Sequence, residues 1–155
     1  MKKMTVLIAA LFALAAPLAS YAMEHDHSSH TPGMTHSGNA AHEEVVDGVK
    51  ATFMVQTMAD AMKAMGMEMP KGVKETHHLH VEFKDIKSGK ALTSGEVSVK
   101  IQGPDKKESV KDLMGMQGHF GADFDMAKKG KYGVMCKFKL ADGKIRSAKF
   151  MYTVK

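Results

Sequence analysis

Tryptophan is absent from the sequence, there is a single Cys, and aromatic residues make up only 6% of the chain. One thiol excludes an internal disulfide framework, a CxxC redox centre and a zinc site with four thiolates. A length of 155 residues suits one globular domain and not a large multidomain enzyme. The sequence also lacks a Ser/His/Asp grouping and a glycine-rich phosphate loop. We therefore expect a small protein that is not an enzyme.

A strong excess of charge of one sign is also missing. The formal net charge is +5, but Lys2 and Lys3 fall in a segment that we expect to be removed, which leaves 20 basic and 17 acidic residues. The remaining lysines are scattered, without the arginine-rich stripe or interleaved aromatics that nucleic acid binding uses. We interpret them as a solvated surface and expect no nucleic acid partner.

Methionine and histidine are abundant instead, with 15 Met and 9 His in the chain. Packing alone does not require so many of these side chains. Thioether sulfur is a soft ligand that favours Cu(I), and imidazole binds several transition metals. The composition therefore indicates metal binding.

Residues 1–22 have the three parts of a secretory signal peptide. Residues 1–3 are basic, residues 6–16 form an apolar run of 11 residues, and residues 20–22 provide small side chains for cleavage. The run is too short for a comfortable membrane span, and no later run approaches the ~20 apolar residues that a transmembrane helix needs. We expect a periplasmic or secreted protein without a membrane span after cleavage.

Residues 23–44 are rich in polar residues and His and contain almost no large aliphatic side chains. Such a segment cannot offset the entropy of ordering, so we predict a disordered tail that captures metal. Cleavage after Ala22 would make Met23 the N-terminus, followed by Glu24 and His25. The free α-amine, two backbone amide nitrogens and the imidazole of His25 would then form a square-planar site of four nitrogens, which suits Cu(II) or Ni(II). A cut displaced by one residue would abolish this site, and a solubilising leader is the alternative for the whole tail. The other candidate capture residues are His27, His30, His36 and His42.

Apolar and polar residues alternate in short segments throughout residues 45–155, which is typical of half-buried strands. Turn signals such as Asp142-Gly143 separate the segments, so we predict one all-β domain, an antiparallel sandwich of about seven strands. Residues 57–70 differ, because methionines and alanines at helical spacing predict a short helix or Met-rich loop that Pro70 ends. The predicted strands are 49–55, 79–83, 97–101, 109–113, 120–126, 132–140 and 148–154.

Three histidines lie within residues 76–80. If Leu79 and Val81 point inward, His78 and His80 share the opposite face of the strand, with Cβ atoms roughly 7 Å apart. Two imidazoles at this spacing can converge on one ion. We also treat the adjacent His77 as a candidate ligand, and solvated strand histidines are the alternative.

Met114, Met116 and His119 lie close together in the sequence, separated by two glycines that allow the backbone to fold tightly. Two thioethers and one imidazole in a single loop favour Cu(I) over Zn, Ca or Mg. We predict that this loop holds the core metal site, and that His78 or His80 supplies a further ligand if strand and loop meet.

Met65, Met67 and Met69 form another candidate set. Met67 breaks the helical spacing and repeats the Met-Gly-Met pattern of residues 114–116, which favours a metal-binding role. For Met54 and Met58 we favour packing, because methionines at helical spacing commonly fill gaps in a core.

Cys136 lies in the inward row of its predicted strand, so we expect a small buried apolar side chain. A blue-copper centre would need a His nearby and a Met following on the same loop. Neither follows Cys136 at that spacing, so electron transfer by such a centre is disfavoured.

Several segments together resemble the YtkA-like and FixH-like group of small exported proteins. The resemblance extends over residues 45–155 and implies an immunoglobulin-like sandwich associated with copper handling. The segments that carry it are 80–85, 88–90, 95–97, 114–119 and 130–132.

We therefore expect a periplasmic copper carrier or buffer, with Cu(I) at the core site and Cu(II) in the tail. Its partners would be the metal ion and a periplasmic or membrane copper transporter or cuproprotein. One alternative is an immunoglobulin-like protein-interaction or assembly module without essential metal. Another is a periplasmic carrier of a different transition metal, such as iron or nickel.

Overall fold

The computed structural model describes residues 40–155, which contain nine strands and one helix. The predicted signal peptide and the predicted tail as far as residue 39 lie outside these residues. In chain order the elements are β1 (His42–Val46), β2 (Val49–Thr57), α1 (Met58–Ala64), β3 (His77–Asp85), β4 (Gly95–Gln102), β5 (Glu108–Asp112), β6 (Met114–Met116), β7 (His119–Phe124), β8 (Gly130–Leu140) and β9 (Ile145–Val154).

The strands form two antiparallel sheets that pack face to face. One sheet has the strand order β1-β2-β3-β7-β6, and the other has the order β5-β4-β8-β9. This arrangement confirms the predicted all-β, immunoglobulin-like sandwich. In the part of the chain that the structure describes, no helix combines the length and the apolarity needed to cross a membrane.

The core lies between the sheets and is built from the inward rows that the alternation predicted. Aromatic rings join the two layers: Phe83 of β3 lies 4.4 Å from Phe138 of β8, and Phe53 of β2 lies 5.0 Å from Phe150 of β9, measured between ring centroids. Cys136 is 1% exposed in this core, and burial raises the pKa of its thiol to about 12. Such a thiol stays protonated, which confirms its expected role as a small buried side chain.

Two strands were not predicted, and one of them corrects the boundary of the tail. β1 begins at His42, inside the segment predicted to be disordered, and pairs with β2 through a tight turn at Asp47 and Gly48. Both turn residues have positive φ, 46° and 77°, which suits a two-residue hairpin. The ring of His42 also stacks on Phe150 at 4.8 Å, so His42 belongs to the sandwich.

The second unpredicted strand is β6, which has only three residues. It pairs with β7 through a turn at Gln117 and Gly118, which have φ values of 34° and 95°. The Met-Gly-Met segment is therefore the edge strand of a sheet and not a free loop, a position that brings its methionines beside β7.

The predicted helix is confirmed as α1, but it ends earlier than expected. Thr57 caps its start, because the Thr57 hydroxyl oxygen accepts a hydrogen bond from the Asp60 N–H at 3.1 Å. At its end, Gly66 has φ of 67°, and the N–H groups of Gly66 and Met67 donate to carbonyls of the last turn. This glycine cap stops the helix at Ala64, six residues before Pro70.

Arg146 and Asp142 form an ion pair at the turn between β8 and β9. Arg146 is 4% exposed, and its guanidinium donates to both carboxylate oxygens of Asp142 at 3.0 and 2.6 Å. These hydrogen bonds lower the pKa of Asp142 from 3.8 to about 2. Because the folded pKa is the lower one, the contribution of the pair to stability is complete above about pH 3.8 and is lost as the pH falls through about 2.

Asp142→Asn tests this pair, since Asn keeps the side-chain size and an acceptor for the Lys144 N–H but removes the charge. We expect the variant to be less stable at neutral pH and to lose less of its free energy of unfolding than the unmodified protein between about pH 4 and about pH 2. Urea unfolding across this range measures the difference. Parallel pH profiles for the two proteins would contradict the assignment.

Candidate metal centre

Three of the predicted ligands come together on the outer face of the five-stranded sheet. His78 and His80 of β3 and His119 of β7 each offer one ring nitrogen, and these three atoms all lie within 4.8 Å of one another. The His80 ring lies between the other two, with centroid distances of 5.7 Å to His78 and 4.8 Å to His119. Three imidazoles at these distances can bind one metal ion.

Strand alternation and register explain why the three rings meet. Leu79 and Val81 are fully buried in the core, so His78 and His80 project from the other face of β3. His80 pairs with Gly121 across the β3–β7 ladder, and His119 is two residues before Gly121, on the same face. The predicted orientation of His78 and His80 is therefore what the structure has, although His80 is 0% exposed and not a solvated side chain.

A carboxylate orients His78. The Nδ1 atom of His78 lies 2.6 Å from Oδ1 of Asp123, its partner across the ladder. An ionised carboxylate can only accept, so Nδ1 carries a proton, and in the neutral ring the other nitrogen, Nε2, keeps its lone pair. Histidines that bind metals commonly make this second hydrogen bond to a carboxylate, which fixes the tautomer and the ring direction.

One thioether lies beside the histidines. Met116 is the register partner of His119, and its terminal methyl carbon, Cε, lies 3.0 Å from the point where a Cβ on Gly121 would stand. Nε2 of His78 lies 3.0 Å from the same point. The side-chain end of Met116 and Nε2 of His78 therefore both border the position above Gly121. Met116 is 38% exposed, so the site reaches the surface at this position.

Met114 and Met54 extend the same row on either side. Met114 is the register partner of Gly121 on the edge strand, and it is 72% exposed. Met54 pairs with His80 from the β2 side and is half-buried, so a residue that we assigned to packing lies on the site's face. Met58, in contrast, is 8% exposed at the start of α1, which confirms its packing role.

His77 does not join the other histidines of its run. It lies on the inward face of β3, 7% exposed, with its ring edge-on to Tyr152 at 6.4 Å. Burial lowers its pKa, and its Nδ1 atom lies 2.8 Å from the Thr76 hydroxyl. His77 and His78 therefore lie on opposite faces of the sheet, and His77 is not part of the histidine cluster.

The methionines of the loop after α1 and the tail candidates lie outside β3 and β7, the two strands that carry the three histidines. Met65, Met67 and Met69 are 43%, 50% and 42% exposed in the segment between α1 and β3. His42, the last tail candidate, is in β1, where its ring contacts Phe150 and its Nε2 atom lies 3.4 Å from a carboxylate oxygen of Glu44. The remaining tail candidates lie outside the described residues; they are Met23, Glu24, His25, His27, His30 and His36.

Gly121 and Asp123 are the two site residues that sequence reasoning missed. Both lie in the outward row of β7, between or beside predicted ligands. Their roles depend on which residues of β3 stand opposite them, and this long-range register leaves no local signal in the sequence.

The fold is similar to that of several solved structures. A copper-bound variant of FetP from uropathogenic Escherichia coli strain F11 matches with a TM-score of 0.58 at 14% identity, over 74% of this chain and 94% of that chain. FetP from the same strain in its as-isolated form matches with a TM-score of 0.53 at 15% identity, over 74% and 94% of the two chains. A DUF4426 family protein from Pseudomonas aeruginosa PAO1 matches with a TM-score of 0.53 at 13% identity, over 73% and 93%.

At these identities the likeness shows a shared sandwich fold. No family model and no curated protein sequence matches the chain. The resemblance to the YtkA-like and FixH-like group therefore stays a prediction, while the sandwich fold that it implied is confirmed.

The contact between His78 and Asp123 predicts a tautomer. In metal-free protein we expect neutral His78 to carry its proton on Nδ1, because the carboxylate of Asp123 accepts from that atom. Long-range proton–nitrogen NMR distinguishes the two ring nitrogens. We expect Asp123→Ala to lose the preference and Asp125→Ala, whose carboxylate instead accepts from the Ala127 N–H, to keep it. An Nε2-protonated ring in the unmodified protein would contradict the orientation.

Proposed function

We propose that the protein is an exported copper carrier or buffer that binds one Cu(I) ion on the outer face of the sandwich. His78, His80 and His119 supply imidazole nitrogens, and Met116 supplies a thioether. The observation that carries the proposal is the meeting of three ring nitrogens within 4.8 Å, with Met116 as the register partner of His119 on the neighbouring strand.

The donor set favours copper over other metals. Imidazole alone would also suit zinc, iron or nickel, but a neutral thioether is a soft ligand that selects Cu(I). The nearest carboxylate, Asp123, is held by a ring nitrogen of His78 and serves as an orienting group. A site of three imidazoles and one thioether carries no negative charge, which suits a monovalent ion better than a divalent one.

The fold supports the same metal. A copper-bound variant of FetP has a similar sandwich, and this likeness supports copper as the metal. The predicted signal peptide favours export, and the FetP protein of the second comparison was recombinantly expressed in the periplasm of E. coli. We propose the periplasm, or the exterior of the cell, as the compartment of the present chain.

Partial exposure of the ligands favours exchange over permanent storage. His78 and His119 are half-buried and Met116 is 38% exposed, so a partner's ligands could reach the ion one at a time. Methionine exchanges without losing a proton. These properties suit a protein that delivers copper to a transporter or a cuproprotein, and they assign no catalytic role.

We propose that the tail has a separate role in collecting Cu(II). Its histidines and free N-terminus would form sites of nitrogen donors, which Cu(II) prefers. Met65, Met67 and Met69 would provide a weaker, exposed set of thioethers near the surface.

The core site is tested by comparing two neighbouring histidines. We expect His78→Ala to weaken Cu(I) binding by about 100-fold, because the variant loses a direct ligand and even the loss of a group that only orients a ligand costs up to about 100-fold. His77→Ala is the matched control, since His77 is adjacent in sequence but lies on the inward face. Competition with a chromophoric Cu(I) chelator measures both affinities. Equal affinities in the two variants would contradict the site.

The tail is tested independently of the core. We expect simultaneous substitution of His25, His27, His30 and His36 by Ala to lower the number of Cu(II) ions bound per chain and to leave Cu(I) affinity unchanged. Calorimetric titration with each oxidation state of copper measures the two effects. Unchanged Cu(II) stoichiometry would show that the tail does not capture metal.

A further inference from the structure

The outward rows of β8 and β9 form a face of the four-stranded sheet that the metal site does not use. Alternation in the two strands buries residues such as Cys136 and Phe150 and turns four lysines outward. We call this surface the lysine face; its basic residues are Lys131, Lys137, Lys139 and Lys149. Neither strand contains Asp or Glu. The pairing of the two strands therefore gathers these lysines on one side of a hairpin.

The charges of the lysine face are not neutralised by the protein itself. Within residues 40–155, none of its four lysines makes an ion pair. The acidic residues of the same sheet lie in β4 and β5, where Glu96 stands opposite Lys139 and Glu108 pairs with Lys100 at 3.1 Å. Lys137 and Lys139 are two positions apart on one strand, roughly 7 Å, so their like charges repel. A negatively charged partner would relieve this repulsion.

Apolar side chains are exposed between the lysines. Ile145 and Met151 are each 63% exposed and Met135 is 38% exposed, all in the same outward rows. Across the ladder, Met135 stands opposite Lys149 and Ile145 opposite Lys139. Amphipathic helices present the same mixture of basic and apolar side chains to anionic membranes. Long lysine stems can reach phosphate groups there while the apolar side chains enter the headgroup region.

The composition of the lysine face favours a lipid surface over a protein partner. Protein interfaces are enriched in Arg, Tyr and Trp and depleted in Lys. The lysine face has no Arg and no aromatic ring, because the arginine and the rings of its two strands, such as Arg146 and Phe138, belong to the inward rows. The ammonium group of lysine acts as a point charge and requires no particular geometry. It therefore suits an array of phosphate headgroups.

We propose that the lysine face docks the protein on membranes of anionic phospholipid. This role goes beyond the proposed function and does not depend on metal binding. The three histidines lie on the outer face of the other sheet, and the two outer faces of a sandwich point in opposite directions. A protein held at a lipid surface by β8 and β9 would therefore keep His78, His80 and His119 directed away from the membrane.

Sedimentation with lipid vesicles tests the proposal on the exported, processed protein. We expect the protein to bind vesicles of equal parts phosphatidylglycerol and phosphatidylethanolamine at about 50 mM salt and to be released at about 0.5 M salt. Vesicles of pure phosphatidylcholine should not bind it. Lys137→Gln combined with Lys149→Gln should weaken binding at least about tenfold, since each basic side chain near an anionic surface contributes a several-fold effect.

Lys50→Gln combined with Lys84→Gln is the control for net charge. These two lysines are register partners on the outer face of the five-stranded sheet, and their substitution lowers the charge by the same two units. We expect this variant to bind within about threefold of the unmodified protein, because salt screens charges on the far side of the sandwich.

A fluorophore reports which face meets the lipid. The thiol of Cys136 is buried and protonated, so an environment-sensitive dye would react only with the introduced thiol of Met151→Cys or of Lys84→Cys. When anionic vesicles are added, we expect the emission of the dye at position 151 to shift to shorter wavelengths. The emission of the dye at position 84 should not change.

Four contrary results would each overturn the proposal. Absence of binding to anionic vesicles would mean that the lysine face is an ordinary solvated surface. An equal loss of binding in the two double variants would show attraction by net charge and not by this face. A shift of the dye at position 84 alone would show the opposite orientation. Binding to soluble polyglutamate without binding to vesicles would identify an acidic polypeptide as the partner.

Discussion

The antiparallel pairing of β3 with β7 is the constraint on which the site depends. The two strands are 34 residues apart along the chain from the end of one to the start of the other, and their register decides which side chains share a face. His80 stands opposite Gly121 and His78 opposite Asp123, which brings His119 beside His80. A slip of one residue would turn His119 toward the core and Phe120 toward solvent, so burial of Phe120 maintains the metal-binding geometry.

This arrangement separates stability from chemistry within each strand. The inward rows of β3 and β7 supply buried residues such as Val81 and Phe120, and the outward rows supply the histidines. Because the two rows alternate, a ligand residue can be substituted without creating a cavity in the core. His80 is the exception, since it is fully buried on the outward side between its two neighbours. It is the ligand whose loss we expect to disturb the local packing most.

Local patterns predicted much of the fold and part of the site. Alternation identified the core rows, placed Cys136 inward and put His78 and His80 on the same face, because each of these depends only on residues close in sequence. β6 was missed because three residues are too short to show a period, and β1 was missed because its first three residues, 42–44, were assigned to a polar tail. His77 was included because it adjoins His78 in the sequence, although the same alternation places it on the inward face with Leu79. The roles of Gly121 and Asp123 depend on long-range pairing, which a single sequence does not show.

A crystal structure of the protein prepared with Cu(I), with anomalous diffraction collected at the copper edge, tests the central claim most directly. Our account predicts a copper peak on the outer face of the five-stranded sheet, coordinated by His78, His80 and His119 with the sulfur of Met116. A core domain without copper at these histidines, or an ion bound there without sulfur, would contradict it.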